Sequence, residues 1–238
     1  MTRIKICGMT KEEDIRLCVK AGVNALGFVV EYPIDVPWNL DRKKARELMR
    51  AVPPFVSRVI VVGDDPELVI ELTEFLRPHA VQLHGNEKLS VTAELVTALK
   101  ALHVPVIKAL RFSVETGTCA FASEEPLDAA RLIENTGVDA LLLDSVSDVR
   151  PAGTGRSIDW GMARTIRNSI NLPLILAGGL HAGNVGEAVA AVNPYGVDVI
   201  SGVEHPVGGK DPEKVGAFVN AVQANGAINV DGGGFSLS

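Results

Sequence analysis

The chain has 238 residues, of which 47% are apolar and 22% are charged, and its 23 Lys and Arg against 29 Asp and Glu give a formal charge of −6. This composition is typical of a globular protein with ample material for a core, and the lack of a basic stripe argues against DNA or RNA as a partner. The apolar runs fall far short of the roughly 20 residues of a membrane span, and the first residues lack the apolar stretch of a signal peptide, so we expect no membrane partner and a cytoplasmic location.

Eight short runs of apolar and β-branched residues recur along the chain, and a segment with helical spacing follows each of them. The runs predict strands over residues 4–8, 25–30, 58–63, 80–85, 105–111, 140–145, 173–179 and 198–204. Between them, apolar residues at i, i+3, i+4 and i+7 predict amphipathic helices. Thr10 with Glu13, Asp65 and Asp211 are of the residue types that cap the start of a helix.

Strict alternation of strand and helix predicts parallel strands with right-handed crossovers, because that arrangement buries apolar strands on both faces. An open doubly wound sheet and a closed barrel both satisfy this alternation. The spacing of about 30 residues per unit, the absence of a dividing linker and the absence of a GxGxxG motif after the first strand favour the barrel. We therefore predict an α/β fold, a single (β/α)8 TIM barrel with parallel strands over residues 1–225, and a flexible C-terminal tail over the Gly- and Ser-rich residues 226–238.

Cys7 ends the first predicted strand, and the carboxyl ends of the strands form the active-site face of such a barrel. A thiol acts as a base only as a thiolate, and its reference pKa of about 8.5 leaves most of it protonated at neutral pH. Lys5 lies two positions earlier and projects to the same face, so its ammonium group is a candidate for lowering the pKa of the thiol. The alternative is that Cys7 is a small buried hydrophobe, and Cys18 and Cys119 are expected to be inert.

Asp144 ends the sixth predicted strand, in the run ALLLD, where burial of a carboxylate is costly unless the group is paired or used. A partly desolvated aspartate has its pKa raised from about 3.9 and can act as a general acid. The alternative is a helix cap or a salt bridge. A base and an acid on the first and sixth strands would flank a substrate and transfer protons without a cofactor. His84, on the same face as Gln82, ends the fourth strand either as a lining residue or as a structural one.

Other covalent or metal chemistry has little support in the sequence. The three cysteines form no CxxC pair and no Cys/His cluster at zinc spacing, so no disulfide and no metal site are predicted. Lys5 and Lys108 leave a Schiff-base lysine open as a less favoured alternative, since no second cation or apolar cue singles either of them out.

Glycine-rich turns follow the last three predicted strands. Barrel enzymes often hold a phosphate group with the loops after strands seven and eight, where backbone N–H groups point at the anion and glycine permits close approach. The residues of this predicted phosphate site are Gly155, Gly178, Gly179, Ser201 and Gly202.

Eight short motifs occur in a characteristic order over about residues 3 to 222: KICGMT, ALGFV, VQLHG, LLLDS, GTGRSIDW, LAGGL, GVDVISGVE and GKD. In these motifs the chain resembles the phosphoribosylanthranilate isomerase family, a (β/α)8 barrel of tryptophan biosynthesis. Other phosphate-binding barrels share the late glycines but lack KICG and VQLHG, so the resemblance is specific.

The resemblance implies an isomerase that needs no cofactor and carries out the Amadori rearrangement of N-(5-phosphoribosyl)anthranilate to 1-(o-carboxyphenylamino)-1-deoxyribulose 5-phosphate. It implies that Cys7 is the general base for the C2 proton and that Asp144 is the general acid that assists opening of the ribose ring. It also implies that His84 and Asp198 orient the substrate and that the predicted phosphate site binds its phosphate group. The implied partner is a small-molecule phosphoribosyl substrate.

One position departs from the family pattern. Counted back from the KKAR segment, the arginine that the family directs at the anthranilate carboxylate falls on Trp38. Tryptophan makes no bidentate contact with a carboxylate, although its indole can bind substrate by stacking on an aromatic ring. Either Arg42, Arg111 or another cation binds the carboxylate, or the aryl group differs from anthranilate. Two alternative functions therefore stay open: a paralogous isomerase of another phosphoribosylamine, and a non-catalytic phosphate-binding barrel.

Overall fold

The computed structural model describes residues 1–113, 115–119, 121–146 and 158–226. Within these residues, strands and helices alternate along the chain, except that the second and third strands follow each other with no helix between them. The strands are β1 (Arg3–Ile6), β2 (Ala25–Val30), β3 (Asn39–Leu40), β4 (Ser57–Val62), β5 (Ala80–Leu83), β6 (Val106–Ser113), β7 (Ala140–Val146), β8 (Leu174–Leu176) and β9 (Gly196–Val199). The helices are α1 (Glu12–Ala21), α2 (Arg42–Arg50), α3 (Pro66–Leu76), α4 (Leu89–Ala101), α5 (Pro126–Glu134), α6 (Trp160–Ser169), α7 (Val185–Val192), the 3₁₀ helix η1 (Ser201–Val203) and α8 (Pro212–Gly226).

Eight of these strands form a closed parallel barrel, because β1 is hydrogen-bonded to β2 on one side and to β9 on the other. The order of the strands around the ring follows the chain, so each connection is a crossover between neighbours. The prediction of a (β/α)8 barrel is confirmed. β3 adds two residues beside β2, and the sequence does not predict it because so short a segment shows no periodic pattern.

The eighth predicted strand differs most from the structure. The sequence predicts a strand over 198–204, whereas β9 spans Gly196–Val199 and the residues after it turn into η1. A Cβ on Gly202 would overlap the carbonyl oxygen of Leu180, so the chain here follows a tight path against the loop after β8 instead of continuing as a strand. The other predicted strands lie within a few residues of the observed ones.

Two of the three predicted helix caps are present. Asp65 and Asp211 each accept hydrogen bonds from two backbone N–H groups in the first turn of the following helix. The predicted cap at Thr10 is wrong. The hydroxyl group of Thr10 donates instead to the carbonyl oxygen of Gly208 at 3.0 Å, and the N-cap of α1 is Lys11 without a side-chain hydrogen bond. Thr10 therefore joins the loop after β1 to the loop after η1.

Residue alternation along the strands separates two layers of the core. Side chains such as those of Ile4 and Ile6 point outward and pack under the helices, whereas every second residue points into the barrel. The amino-terminal part of the interior is an apolar layer formed by Val59, Ile107, Ala109, Ala140, Leu142, Ile175 and Ala177. Towards the carboxyl ends the interior holds buried polar side chains, among them Lys5, Gln82 and Asp198. The apolar layer is therefore the floor of a polar site.

No helix in the described ranges is both long and apolar enough to cross a membrane. α8 continues to Gly226, and residues 227–238 lie outside the described ranges. The division into a barrel domain over 1–225 and a flexible tail over 226–238 stays a prediction.

Leu142 is fully buried in the apolar interior layer. Truncation in Leu142→Ala leaves a cavity that the neighbouring strands cannot close, so we expect the free energy of unfolding to fall by about 2–5 kcal/mol. Urea denaturation followed by circular dichroism measures the loss. Leu102→Ala is the control, because Leu102 is 38% exposed. Its truncation should change stability by no more than about 0.5 kcal/mol. Equal stability of the two variants would contradict a close-packed barrel interior.

Candidate active site

The carboxyl ends of the strands surround an open cavity of about 1010 Å³, a volume that includes open solvent at the mouth. One wall is apolar and contains Val29, Tyr32, Val36, Trp38 and Val61. The predicted site residues that line this cavity are Cys7, Trp38, His84, Asp144, Gly178, Gly179, Asp198, Ser201 and Gly202. Gly155 lies outside the described residues. Residues far apart in the sequence therefore face one common space.

Cys7 follows β1, and its buried thiol group lines the base of the cavity. Burial has the largest effect on the thiol and raises its pKa. The charge of Asp198 also raises this pKa, whereas the charges of Lys5 and Lys210 lower it. The effect of Lys5 has the predicted direction, but burial outweighs it. The Nζ atom of Lys5 donates to Oδ2 of Asp198 at 2.7 Å, so the negative charge of that carboxylate offsets much of the positive charge of Lys5. Cys7 is therefore a protonated thiol at rest and needs a further positive charge nearby to ionise.

Two glycines make room for the thiol and for the indole beside it. A Cβ on Gly27 of β2 would overlap the sulfur atom of Cys7, so glycine is needed there. Gly8 has a φ of 78°, a conformation that favours glycine, and the indole of Trp38 packs directly against it. Sequence reasoning misses Gly27, because a glycine within a strand pattern shows its partner only when the neighbouring strand is known.

Asp144 lies in β7, with its carboxyl group at the edge of the cavity. Burial raises its pKa to about 6, although the backbone N–H of Ser145 donates to Oδ1 at 2.8 Å and the charge of Arg111 acts against the rise. A carboxyl group with this pKa holds a proton in an appreciable fraction of molecules near neutral pH. It can therefore give that proton to a substrate as a general acid.

His84 is an uncharged group in this site. Burial, reinforced by nearby cations of which Arg111 has the largest effect, lowers its pKa to about 3. Its Nε2 atom lies 3.6 Å from Oδ2 of Asp144, which is too long for a hydrogen bond. Its Nδ1 atom lies 3.2 Å from the side-chain nitrogen of Gln82. Neutral His84 is therefore a hydrogen-bonding group and not a charge partner of Asp144.

Two buried oxygen atoms at the cavity have no hydrogen-bond partner among the described residues. One is Oδ1 of Asp198, whose other oxygen binds Lys5, and the second is Oε1 of Gln82. Buried acceptors without a donor are costly and rare, and both of these side chains line the cavity. They are positioned to accept hydrogen bonds from hydroxyl groups of a bound ligand.

The loops after β8 and β9 form one side of the cavity, here called the glycine cradle and consisting of residues 178–179 and 201–202. Gly178 and Gly179 have positive φ angles of 79° and 62°, and a Cβ on Gly178 would crowd the backbone of Ser145. Ser201 and Gly202 begin η1, where the first N–H groups of a helical turn have no partner within the turn. The cradle can therefore present several backbone N–H groups to an anion.

Trp38 belongs to the apolar wall, but its indole nitrogen is already hydrogen-bonded within the protein. Its Nε1 atom donates to Oε1 of Glu204 at 2.7 Å, and the same oxygen accepts from Nζ of Lys210 at 2.6 Å. Glu204 and Lys210 are both buried, and the backbone N–H of Gly208 donates to the second oxygen of Glu204 at 3.2 Å. Sequence reasoning misses this network, since the only signal for Glu204 and Lys210 is their place in the GVE and GKD motifs.

Lys108 and the other two cysteines do not line the cavity. Lys108 points outward from β6 and pairs with Glu87 at 2.9 Å, so it is not placed to act as a Schiff-base lysine. Burial raises the pKa of Cys18 and of Cys119 to about 12, in keeping with inert thiols. Among the described residues, no group of three His, Cys, Asp or Glu side chains is arranged to hold a metal ion.

The sequence matches the family model described as N-(5'phosphoribosyl)anthranilate (PRA) isomerase over residues 4–221. It is also 40% identical over 233 residues to N-(5'-phosphoribosyl)anthranilate isomerase 1 of Methanosarcina mazei, a match that covers 95% of this chain and 97% of that protein. The chain belongs to the N-(5'-phosphoribosyl)anthranilate isomerase family. The family member from Natronomonas pharaonis is 39% identical over 222 residues, covering 93% of this chain and 98% of its own.

Solved structures of the family share the barrel. Phosphoribosyl anthranilate isomerase from Thermotoga maritima is 32% identical with a TM-score of 0.77, covering 94% of this chain and 100% of that one. A second structure, also 32% identical and with a TM-score of 0.74, covers the same shares of the two chains. It is a phosphoribosyl anthranilate isomerase in complex with reduced 1-(o-carboxyphenylamino)-1-deoxyribulose 5-phosphate. The resemblance inferred from the motifs is therefore confirmed.

The raised pKa of Asp144 can be measured directly. In protein labelled with ¹³C at the aspartate carboxyl groups, we expect one carboxyl resonance to titrate at about 6, because burial favours the protonated form. Asp144→Asn removes this resonance and identifies it. His84 does not interfere, since its pKa is lowered to about 3. Titration of the assigned resonance near the ordinary value of about 3.9 would contradict the desolvated environment.

Proposed function

We propose that this protein catalyses the Amadori rearrangement of N-(5-phosphoribosyl)anthranilate to 1-(o-carboxyphenylamino)-1-deoxyribulose 5-phosphate in tryptophan biosynthesis, in the cytoplasm and without a cofactor. The observation that carries the proposal is that Cys7 and Asp144 share one cavity with the glycine cradle. A barrel that only binds phosphate needs no such acid and base. Family membership and the ligand of the related complex support the same reaction.

The glycine cradle holds the phosphate group of the substrate in this proposal. Its backbone N–H groups can converge on the anion, and its glycines permit close approach. The unpaired oxygens of Asp198 and Gln82 then accept hydrogen bonds from ribose hydroxyl groups, which gives both buried acceptors a donor. Neutral His84, bonded to Gln82, orients the same part of the substrate.

The first step opens the ribose ring. Protonated Asp144 donates its proton to the ring oxygen as the bond between that oxygen and C1 breaks. The lone pair of the amine nitrogen forms a C1=N bond, so the open-chain intermediate is a cationic iminium. The pKa of Asp144, about 6, suits this donation because an appreciable fraction of the molecules holds this proton near neutral pH and the carboxylate is stable afterwards.

The second step moves the C2 proton. The positive charge of the iminium favours ionisation of the neighbouring Cys7 thiol, which burial otherwise keeps protonated. The carboxylate left on Asp144 by the first step takes up the thiol proton, which restores the acid. The thiolate then accepts the C2 proton, the electron pair of that C–H bond forms a C1=C2 bond, and the iminium electron pair returns to nitrogen. The resulting enolamine becomes the ketone when C1 gains a proton and the 2-hydroxyl group loses one. Oxidation at C2 thus balances reduction at C1.

A paralogous isomerase of another phosphoribosylamine would use the same acid, base and cradle. The apolar wall that contains Trp38 suits any aromatic ring. The two possibilities therefore differ in one group of the substrate, the carboxylate of anthranilate.

Cys7→Ser and Asp144→Asn remove the proposed base and acid with little change of side-chain volume. We expect each to lower kcat by about 10²–10⁴-fold, the usual contribution of a positioned acid or base. The disappearance of the fluorescent substrate, without added metal or nucleotide, measures turnover. Cys119→Ser is the control, because Cys119 does not line the cavity, and it should keep the wild-type kcat. Wild-type turnover in Cys7→Ser would show that the thiol is not the base.

Gly27→Ala tests whether the position of the thiol matters. The added methyl group overlaps the sulfur atom of Cys7 and must displace it. Displacement of a reacting group by about 1 Å can lower the reaction rate by about 10²-fold, so we expect kcat to fall by that order. The affinity for reduced 1-(o-carboxyphenylamino)-1-deoxyribulose 5-phosphate should change little. The matched control is Gly216→Ala in α8, where a Cβ meets open space. An unchanged kcat in Gly27→Ala would argue against Cys7 as the reacting group.

A further inference from the structure

The proposed substrate has two anionic groups, a phosphate at one end and a carboxylate on its aryl ring. We propose that Arg111 binds the aryl carboxylate, an inference that rests on the proposed function. A carboxylate taken from water into a cavity needs charge-assisted hydrogen bonds, and a guanidinium group supplies two of them in a planar fork. The Nε1 atom of Trp38 is already bonded to Glu204, so the family position that faces the carboxylate contributes only an apolar surface here.

Arg111 is the one lysine or arginine among the described residues that line the cavity. The buried lysines behind the cavity are already paired: Lys5 binds Asp198 at 2.7 Å and Lys210 binds Glu204 at 2.6 Å. The hydrogen bond described for the guanidinium of Arg111 goes to an uncharged side-chain oxygen. Its positive charge is therefore available to a ligand anion in a way that the charges of the lysines are not.

Arg42, the other arginine that the sequence leaves open, is held elsewhere. Its Nε and Nη2 atoms bind the two carboxylate oxygens of Glu31 at 2.8 and 2.7 Å, and its Nη1 atom lies 3.3 Å from Glu71. Arg42 does not line the cavity. The structure therefore separates two arginines that the sequence could not distinguish.

Arg111 lies beside the proposed acid on the neighbouring strand. β6 and β7 are parallel, and Arg111 is the register partner of Asp144. In the substrate, the ring oxygen that receives the proton of Asp144 and the amine nitrogen are both bonded to C1, and the carboxylate is ortho to that nitrogen on the aryl ring. The carboxylate is therefore only a few bonds from the oxygen that Asp144 protonates. A long side chain on the adjacent strand is well placed to reach it.

Asn86 positions the guanidinium. Its Oδ1 atom accepts a hydrogen bond from Nη2 of Arg111 at 2.6 Å, which fixes one edge of the planar group. A guanidinium has five N–H groups, so enough remain for a bidentate contact with a carboxylate. Arg111 is half-buried, and an ion pair there is screened less by water than one on the open surface. Asn86 is thus a positioning residue for the proposed contact.

Equilibrium binding tests the contact better than turnover does. Arg111 also lowers the pKa of Asp144, so its removal changes the acid as well as the binding of the carboxylate. The test therefore compares two stable ligands by titration calorimetry: reduced 1-(o-carboxyphenylamino)-1-deoxyribulose 5-phosphate and the same compound without the carboxyl group. The ratio of their dissociation constants measures what the protein gains from the carboxylate alone.

We expect the wild type to bind the carboxylated ligand roughly 10- to 100-fold more tightly, the usual size of a charge-assisted contact. In Arg111→Met this preference should fall to within about threefold, while affinity for the ligand without the carboxyl group stays close to that of the wild type. Arg111→Lys keeps the positive charge but not the planar guanidinium group, and Asn86→Ala keeps Arg111 but removes the hydrogen bond that fixes it. Each should give an intermediate preference. Arg42→Met is the matched control and should keep the full preference.

A full preference in Arg111→Met, or equal loss of affinity for both ligands, would overturn the assignment of Arg111. Circular dichroism and thermal unfolding check that the variant is folded, and the milder Arg111→Lys and Asn86→Ala variants serve if it is not. Turnover of N-(5-phosphoribosyl)anthranilate by the wild type is measured separately. Its absence would overturn the proposed function, whereas wild-type turnover together with an unchanged ligand preference in Arg111→Met would overturn only the role of Arg111.

Discussion

The buried ion pair between Lys5 and Asp198 joins the first and last strands of the barrel at its site. The two residues are register partners on β1 and β9, the first and last strands, and both are buried. Loss of either partner would leave an uncompensated buried charge, which typically costs about 3–5 kcal/mol. One oxygen of Asp198 binds Lys5 and the other is turned to the cavity without a partner among the described residues. The same carboxylate therefore links the first and last strands and lines the site.

At neutral pH the two proposed catalytic groups rest mainly in the protonation states opposite to those that react. The thiol of Cys7 holds its proton, whereas Asp144, with a pKa of about 6, is largely a carboxylate at neutral pH. The two reactive forms therefore arise at different steps of the proposed reaction: Asp144 reacts from its protonated fraction, and Cys7 ionises only once the iminium cation is present. Because burial raises the pKa of Asp144, a larger fraction of the molecules can begin the reaction near neutral pH.

Periodicity explains how much of the molecule is predictable from sequence. Alternation with a period of two places Cys7 on the same face as Lys5, and the ends of the predicted strands place Asp144 and His84 at the mouth, so the barrel and part of its lining follow from pattern. Trp38 and Asp198 are identified only through the resemblance to the family. Other features depend on the fold itself. The pairing of Glu204 with Lys210, the outward position of Lys108 and the net pKa of Cys7 result from contacts between distant segments or from depth of burial. No local sequence pattern predicts these contacts or this depth of burial.

The network of Trp38, Glu204 and Lys210 limits how this cavity can change through evolution. An arginine at position 38 would lose the tight packing of the indole on Gly8 and the hydrogen bond from the indole to Glu204. A substitution at position 38 therefore changes two things at once, the apolar wall of the cavity and the hydrogen bonding of a buried carboxylate.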